Sequence, residues 1–100
     1  MKKLAPVHPG IILLEDFMKP LGLTANALAL KLHVPATRIG DIVNGRRAIT
    51  PDTAARLGIF FGTSTELWLG LQQDYDLEVL EDEALAKIRS EVKPREAAAV

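Results

Sequence analysis

Polar and basic side chains suited to nucleic-acid contacts cluster in the middle of the chain. Thr37 and Arg38 are followed by Asp41, and the pair Arg46-Arg47 comes shortly after. An arginine can bind guanine through two hydrogen bonds, a threonine can donate or accept, and an aspartate can accept from cytosine. Two adjacent arginines in a loop favour contacts with phosphates, which add affinity without reading the base sequence.

The residue combinations needed for most catalytic and metal-binding chemistry are missing from this sequence. There is no cysteine, which excludes disulfides, thiolate zinc sites and cysteine nucleophiles. His8 and His33 are the only imidazoles and lie far apart in sequence. Without a nucleophile–base pair or a glycine-rich phosphate loop, we expect no enzyme activity, no catalytic residue, no metal and no cofactor. Next to Pro9, His8 suits a helix N-cap or a packed position better than a metal-binding or catalytic role.

Length and charge indicate one soluble domain with an uneven charge distribution. The chain has 100 residues, of which 48% are hydrophobic and 25% charged. Residues 1–60 carry eight basic and four acidic residues, a net charge of +4, and residues 61–100 carry four basic and nine acidic residues, a net charge of −5. The basic half could face phosphates while the acidic half meets a basic partner, with ordinary charge scatter as the alternative.

Apolar runs in this sequence are too short to span a membrane, and no signal peptide is expected. The initial lysines precede only a brief apolar stretch, which Pro6 and Pro9 interrupt. The sequence therefore predicts a cytoplasmic protein.

Apolar periodicity and capping residues predict an all-α fold of five helices. Their signals are a start near Pro9 and a stop at Pro20 and Gly22; an N-cap at Thr24; a start near Pro35 and an end at Asn44-Gly45; an N-cap at Thr50 before Pro51 and an end at Gly62; and an N-cap at Ser64 with an end near Leu80. The spacing of Leu85, Ile88 and Val92 allows a sixth helix, and residues 93–100 are expected to be frayed. We therefore predict a DNA-binding domain over residues 1–80 that includes a dimerisation helix. Residues 81–100 are expected to form a helical or partly disordered tail.

The second and third predicted helices form a helix-turn-helix unit. Ala29 is small where the helices approach, and His33 stands at a turn position that often requires a positive φ. The second helix of such a unit enters the major groove with its first residues toward the bases. The predicted DNA contacts are Thr24, Ala25, Ala36, Thr37, Arg38, Asp41, Asn44, Arg46 and Arg47. An exposed helix face without a ligand is the alternative.

Three details of this unit leave alternatives open. Thr24 and Ala25 could offer backbone N–H groups to a phosphate. Asp41 could contact a base or orient Arg38 through an i,i+3 pair. Gly40 costs about 1 kcal/mol of helix stability relative to alanine, which is explained either by close approach to DNA or by helix packing.

The fifth predicted helix has an apolar arc wider than one core contact requires. Trp68, Leu71 and Tyr75 share one side, and we predict that they form a dimer or partner interface, with the core as the alternative for Trp68. The acidic residues from Asp74 to Glu83 indicate either a solvated helix end or a surface for a basic partner.

The segment from Thr24 to Gly45 resembles the helix-turn-helix of the lambda-repressor-like, or XRE, superfamily. A narrower resemblance, over about residues 8–80, is to the HigA (VapI-related) antitoxin family. The motifs that carry it are His8-Pro9-Gly10, Val43-Asn44-Gly45-Arg46-Arg47-Ala48-Ile49-Thr50, Phe61-Gly62-Thr63-Ser64, Leu67-Trp68-Leu69, Leu71-Gln72 and Tyr75-Asp76-Leu77. Gly70 and Thr65 depart from the family's usual polar residue and proline.

This resemblance implies a five-helix lambda-repressor-like fold and two activities. The first is operator binding as a homodimer, with repression of the protein's own operon, and the second is neutralisation of a HigB-like ribonuclease toxin. Two alternatives remain: a stand-alone transcriptional regulator without a toxin, and a protein-interaction module that no longer reads DNA. The near-neutral net charge and Ala36 at a base-reading position keep the last of these open.

Overall fold

Six helices and no strand make up the regular structure of residues 4–95, the part of the chain that the computed structural model describes. The first helix, α1, is α-helical over Pro9–Ile12 and continues as a π-helix over Leu13–Met18 and a 3₁₀ turn over Lys19–Leu21. The others are α2 (Ala25–Leu32), α3 (Ala36–Val43), α4 (Pro51–Phe61), α5 (Thr65–Glu83) and α6 (Leu85–Glu91). The predicted all-α fold is confirmed.

Capping residues set most of the helix boundaries. The Thr24 hydroxyl accepts a hydrogen bond from the Ala27 N–H at 3.1 Å, and the Ser64 hydroxyl accepts one from the Leu67 N–H at 3.0 Å. Gly62 ends α4 in the left-handed conformation, with φ at 76°. These predicted boundaries are confirmed. Thr50 occupies the predicted N-cap position of α4, but its side chain makes no capping hydrogen bond.

A π-helical segment within α1 was not predicted from the sequence. The Lys19 N–H donates to the Leu14 carbonyl, five residues earlier, instead of four. Pro20 has no N–H to donate, so the helix cannot continue in its regular form and ends at Gly22.

Trp68 lies at the centre of the core. Its side chain is 0% exposed, its indole N–H donates to the Thr63 hydroxyl at 2.8 Å, and its ring centroid lies 4.8 Å from that of Phe17. The other fully buried side chains come from α1 to α4 and include Leu13, Leu28, Ile39, Ile42 and Leu57. Because Trp68 leaves no surface for a partner to contact, its predicted place in a dimer or partner interface is corrected to a core position.

Helices α1 and α3 cross at unusually close range. A Cβ atom added to Gly10 would lie 1.8 Å from the Ile42 carbonyl oxygen and 3.0 Å from the Val43 Cα atom. Only a glycine permits this approach, since the neighbouring atoms belong to the backbone and cannot rotate away.

The C-terminal part of the chain extends beyond the core. Helix α5 reaches Glu83, past the predicted end near Leu80, and α6 packs chiefly on α5. The radius of gyration is 17.3 Å, compared with about 13 Å for a compact domain of this length. Helix α6 confirms the helical alternative for the tail. Of the predicted frayed end, residues 93–95 have no regular structure, and residues 96–100, like residues 1–3 at the start, lie outside the described part.

None of the helices within residues 4–95 combines the length and the apolar character needed to cross a bilayer.

Candidate nucleic-acid interface

Helices α2 and α3 form the helix-turn-helix unit that the sequence predicts. His33 adopts φ 59° and ψ 46°, the left-handed conformation expected for the turn. Ala29 is 2% exposed, which agrees with its predicted place at the close approach of the two helices. Ile39 and Ile42 are fully buried and fix one face of α3 against the core, so its opposite face is turned outward.

The outward face of α3 begins with Ala36 and Thr37, both exposed. Pro35, at the N-cap position, provides no side-chain cap to the first N–H groups of α3, although its carbonyl accepts a hydrogen bond from the Arg38 N–H at 3.0 Å. Farther along the helix, the Asn44 side chain donates to the Gly40 carbonyl at 2.8 Å. Asn44 therefore helps to end α3, in addition to its predicted place among the DNA contacts.

Arg38 belongs to a charged cluster that joins three helices. Its guanidinium donates to Asp52 Oδ2 at 2.8 Å, and Arg56 donates to the same oxygen at 3.0 Å. Arg56 also donates to the Leu32 carbonyl at the end of α2, again at 2.8 Å. Hydrogen bonds from Arg56 and Arg38 hold the pKa of Asp52 below its usual range. Asp52 therefore stays ionised among basic groups.

Asp41 interacts with the loop arginines and not with Arg38. One carboxylate oxygen lies 3.2 Å from the Arg46 guanidinium, and the other lies 3.7 Å from that of Arg47. Of the two roles left open for Asp41, the i,i+3 pair with Arg38 is not formed, because the Arg38 side chain pairs with Asp52 on α4 instead. Arg46 is 66% exposed and Arg47 is 47% exposed. Both can exchange Asp41 for a phosphate.

Hydrogen bonds connect the loop that carries these arginines to the rest of the protein at two points. The Ile49 N–H donates to the Gln72 side-chain oxygen at 2.8 Å, and Gln72 donates in turn to Asp76 at 2.9 Å. The His8 imidazole is hydrogen-bonded to the backbone of Arg47. The loop is thus held in place from α5 and from the start of α1, although no regular structure runs through it.

His8 is a structural residue, as predicted. Its Nδ1 accepts a hydrogen bond from the Gly10 N–H at 2.9 Å, and its ring lies edge-on to Tyr75 with centroids 4.9 Å apart. Burial lowers the pKa of His8, against opposing effects of the Asp76 carboxylate and the hydrogen bond to Arg47. The neutral imidazole is therefore the form that the fold favours.

We expect the free energy of unfolding to decrease as the pH falls below about 6.5, the ordinary pKa of histidine. In the unfolded chain His8 has its ordinary pKa of about 6.5, so it binds a proton first in that state. The stabilisation of the fold by neutral His8 is complete at pH values above the pKa of the unfolded state. It is lost as the pH falls through the lower pKa that His8 has in the folded state. Urea unfolding at several pH values measures the slope, and His8→Asn, which can still cap, should flatten it. An equal slope in both proteins would contradict the assignment.

Two of the nine predicted contacts, Arg38 and Arg47, line one surface depression. Its volume is about 310 Å³, and its lining residues are Arg38, Arg47, Ala48, Thr50, Asp52, Thr53 and Arg56. Arg38 from α3 and Arg47 from the loop therefore share one surface with the first turn of α4. Thr24 and Ala25 are not among the lining residues. They stand at the start of α2, where the Thr24 hydroxyl already serves as the cap.

Gly40 is not required by packing inside the chain. A Cβ atom added there would meet nothing within 4 Å. We therefore expect Gly40→Ala to stabilise the fold by about 1 kcal/mol, because alanine is the better helix former. If the glycine serves close approach to DNA, the same variant should bind DNA more weakly. Thermal unfolding and DNA titration of this variant measure the two effects, and unchanged DNA binding would leave the glycine without this role.

Asp52, Arg56 and Gln72 were not among the functional residues predicted from sequence. An aspartate in the first turn of a helix, such as Asp52 in α4, is explained locally by the favourable charge that it gives the helix. Its i,i+4 spacing to Arg56 was a signal that the two residues could pair, whereas no local signal joins Gln72 to Ile49, 23 residues away. Within residues 4–95, no group of three or more histidine or acidic residues is placed to hold a metal ion.

Comparison with known proteins agrees with this geometry. The family model described as Helix-turn-helix matches residues 14–68. Virulence-associated protein I of Dichelobacter nodosus is 49% identical over 77 residues, which cover 77% of this chain and 71% of that protein. The fold and the sequence therefore define a helix-turn-helix protein of the DNA-binding class, not an enzyme class.

Two solved structures of HigA antitoxins are also similar to this chain. One is Pseudomonas aeruginosa antitoxin HigA with the higBA promoter, which has a TM-score of 0.86 and 37% identity over 91% of this chain and 99% of that one. The other is an addiction module antidote protein of the HigA family from Coxiella burnetii, with a TM-score of 0.84, 45% identity and the same coverage of both chains. The chain belongs to the HigA (VapI-related) family of XRE-type helix-turn-helix proteins.

Proposed function

We propose that this protein binds operator DNA in a sequence-specific manner and represses its own operon. The observation that carries the proposal is that Arg38 of α3 and Arg47 of the following loop line one surface depression, while Ala36 and Thr37 are exposed in the same turn of α3 as Arg38. Arginines beyond a recognition helix are suited to phosphates, and an arginine in its first turn is suited to base edges. The similar P. aeruginosa antitoxin, whose structure includes the higBA promoter, supports this proposal.

The proposed DNA-binding form is a homodimer. Beyond the core, α5 and α6 leave Leu77 49% exposed, Ile88 38% exposed and Val92, just after α6, 66% exposed. Apolar side chains on a projecting pair of helices are suited to burial against a second copy. Leu71 and Tyr75, predicted for the same interface, are half-buried, and Leu71 already packs on the core. The dimer contact proposed here therefore lies farther along the chain than the one predicted from sequence.

The second proposed activity is neutralisation of a HigB-like ribonuclease toxin. Helix α5 carries seven acidic and no basic residues, which suits a basic RNA-binding partner. Two similar structures are described as an antitoxin and as an antidote protein, which supports a toxin as the partner. The alternative, a stand-alone regulator without a toxin, differs in having no cognate partner encoded beside it.

Titration of the DNA upstream of the protein's own gene tests the repressor function. We expect tight binding to this duplex, weak binding to a scrambled duplex, and a steep decrease in affinity with salt. Sedimentation of the complex should give two protein chains for each near-palindromic site. Equal, weak binding to both duplexes at every salt concentration would refute operator recognition.

Co-expression with the product of the neighbouring gene tests the antitoxin function. We expect the wild-type protein to restore growth, and a variant with Arg38, Arg46 and Arg47 replaced by alanine to restore growth while it fails to repress. Such a variant separates the two activities, because its substitutions lie on the DNA face, the surface formed by the outward side of α3 and the loop that carries Arg46 and Arg47. Growth arrest that the wild-type protein does not relieve, or a neighbour without toxicity, would favour the stand-alone regulator.

A further inference from the structure

Arg38 is the most restrained of the arginines on the DNA face. Its side chain is 29% exposed, compared with 66% for Arg46 and 47% for Arg47, and a 2.8 Å hydrogen bond joins it to Asp52. Asp52 is itself held by Arg56, which is fastened to the Leu32 carbonyl. Through Asp52 and Arg56, the Arg38 side chain is therefore connected by hydrogen bonds to the end of α2, which belongs to the same helix-turn-helix unit.

We propose that Asp52 is a positioning residue that presents Arg38 to a guanine and so sets the base preference of the protein at one position of each half-site. The inference rests on the proposed operator binding and deepens it. Arginine has five N–H donors in a planar fork, so a carboxylate on one nitrogen leaves donors for a base. A guanidinium whose orientation is fixed in advance can form both hydrogen bonds to the O6 and N7 atoms of guanine.

Charge alone does not explain an aspartate in this place. A carboxylate on a surface that approaches phosphates weakens attraction to DNA of any sequence. Asp52 is 56% exposed and stays ionised beside two guanidiniums, so it exerts that effect. An aspartate in this place is explained if it lowers the affinity for DNA of any sequence but increases the discrimination between bases.

A second role of Asp52 must be separated from positioning. Asp52 lies in the first turn of α4, where a negative charge also stabilises the helix. Glu66 holds the corresponding position in the first turn of α5, directly after the first helical residue, and is also exposed. Glu66→Gln therefore removes the same kind of helix charge without contact to Arg38, and serves as the matched control.

The test is selection of bound duplexes from a randomised library, with Arg38→Ala, Asp52→Ala, Asp52→Glu and Glu66→Gln beside the wild-type protein. Each base preference found is then measured by titration of duplexes that differ at a single position. We expect the wild-type protein to prefer guanine by at least about fivefold at one position of each half-site. Arg38→Ala, Asp52→Ala and Asp52→Glu should all lose that preference and keep the others. Asp52→Ala should also bind scrambled DNA more tightly.

Asp52→Glu is the decisive variant, because it keeps the charge but moves the carboxylate by one methylene. A preserved guanine preference in both Asp52 variants would overturn the inference. The inference would also be overturned if Asp52→Ala bound the selected sequence more tightly and kept the guanine preference. Asp52 would then only hold Arg38 away from the DNA. Loss of the preference in Glu66→Gln would assign the effect to helix stability. No preference at any position in the wild-type protein would instead refute operator recognition itself.

Discussion

Replacing Gly10 with alanine is expected to destabilise the protein by about 3 kcal/mol or more. Overpacking of a core typically costs about 1–3 kcal/mol, and here the added methyl group would meet backbone atoms that cannot rotate away. The new Cβ atom would lie 1.8 Å from the Ile42 carbonyl oxygen, so α1 would have to move away from α3. Because α3 carries the outward face of the helix-turn-helix unit, DNA binding should decrease together with stability.

Gly70→Ala is the matched control for this prediction. Gly70 also lies in a helix, but a Cβ atom there would meet nothing within 4 Å. We expect this variant to be more stable than the wild-type protein by about 0.5–1 kcal/mol. Urea unfolding followed by circular dichroism measures both variants. Similar stabilities for the two alanine variants would show that α1 and α3 do not cross as closely as described.

The second large effect is expected from the double variant Arg46→Ala, Arg47→Ala. Each arginine that neutralises a phosphate releases a counterion, with a slope of about −0.9 in log affinity against log salt. Loss of two such contacts should reduce affinity by about 10- to 100-fold near 0.1 M salt and make the slope shallower by about 1.8. The fold should be little affected, since both arginines pair with Asp41 at the surface.

The control is a double variant on α6, Lys87→Ala with Arg89→Ala, which also removes two positive charges but lies away from the proposed DNA contacts. DNA titrations at four or more salt concentrations give the slope for each protein. The α6 variant should retain nearly the wild-type slope, because Lys87 and Arg89 are exposed outside the proposed DNA contacts. Both side chains flank Ile88 of the proposed dimer contact, so sedimentation of this variant should first establish that it still dimerises. Equal losses in the two double variants would mean that only the total charge of the protein matters.

Features of the fold that depend on neighbouring residues could be predicted from the sequence. The caps at Thr24 and Ser64 act on N–H groups three residues away, and the left-handed conformations of His33 and Gly62 are local. The helix-turn-helix unit follows from such signals, because its two helices are short and adjacent. The resemblance to a family of known fold then extended the prediction to nearly the whole described chain.

Pairings between distant residues could not be predicted in the same way. Arg38 and Asp52 are 14 residues apart, and their contact depends on how α3 packs beside α4. Asp41 is nearer to Arg38 in sequence and has suitable helical spacing, so the sequence offered it, and not Asp52, as a possible partner of Arg38. Trp68 was equally ambiguous, since an apolar side of a helix faces either a core or another chain. Its complete burial, with contacts to Phe17 and Thr63, assigns it to the core.

The outward turn of α3 contributes little to the stability of the helix that carries it. Ala36 and Thr37 are exposed, and burial of Ile39 and Ile42 secures the helix from its other face. Exposed substitutions of this kind usually change stability by less than about 0.5 kcal/mol. Duplicated genes for such a protein could therefore acquire different operators through changes at these two positions, without any repair elsewhere in the fold. Several copies could then coexist in one genome, each insulated from the regulatory circuits of the others.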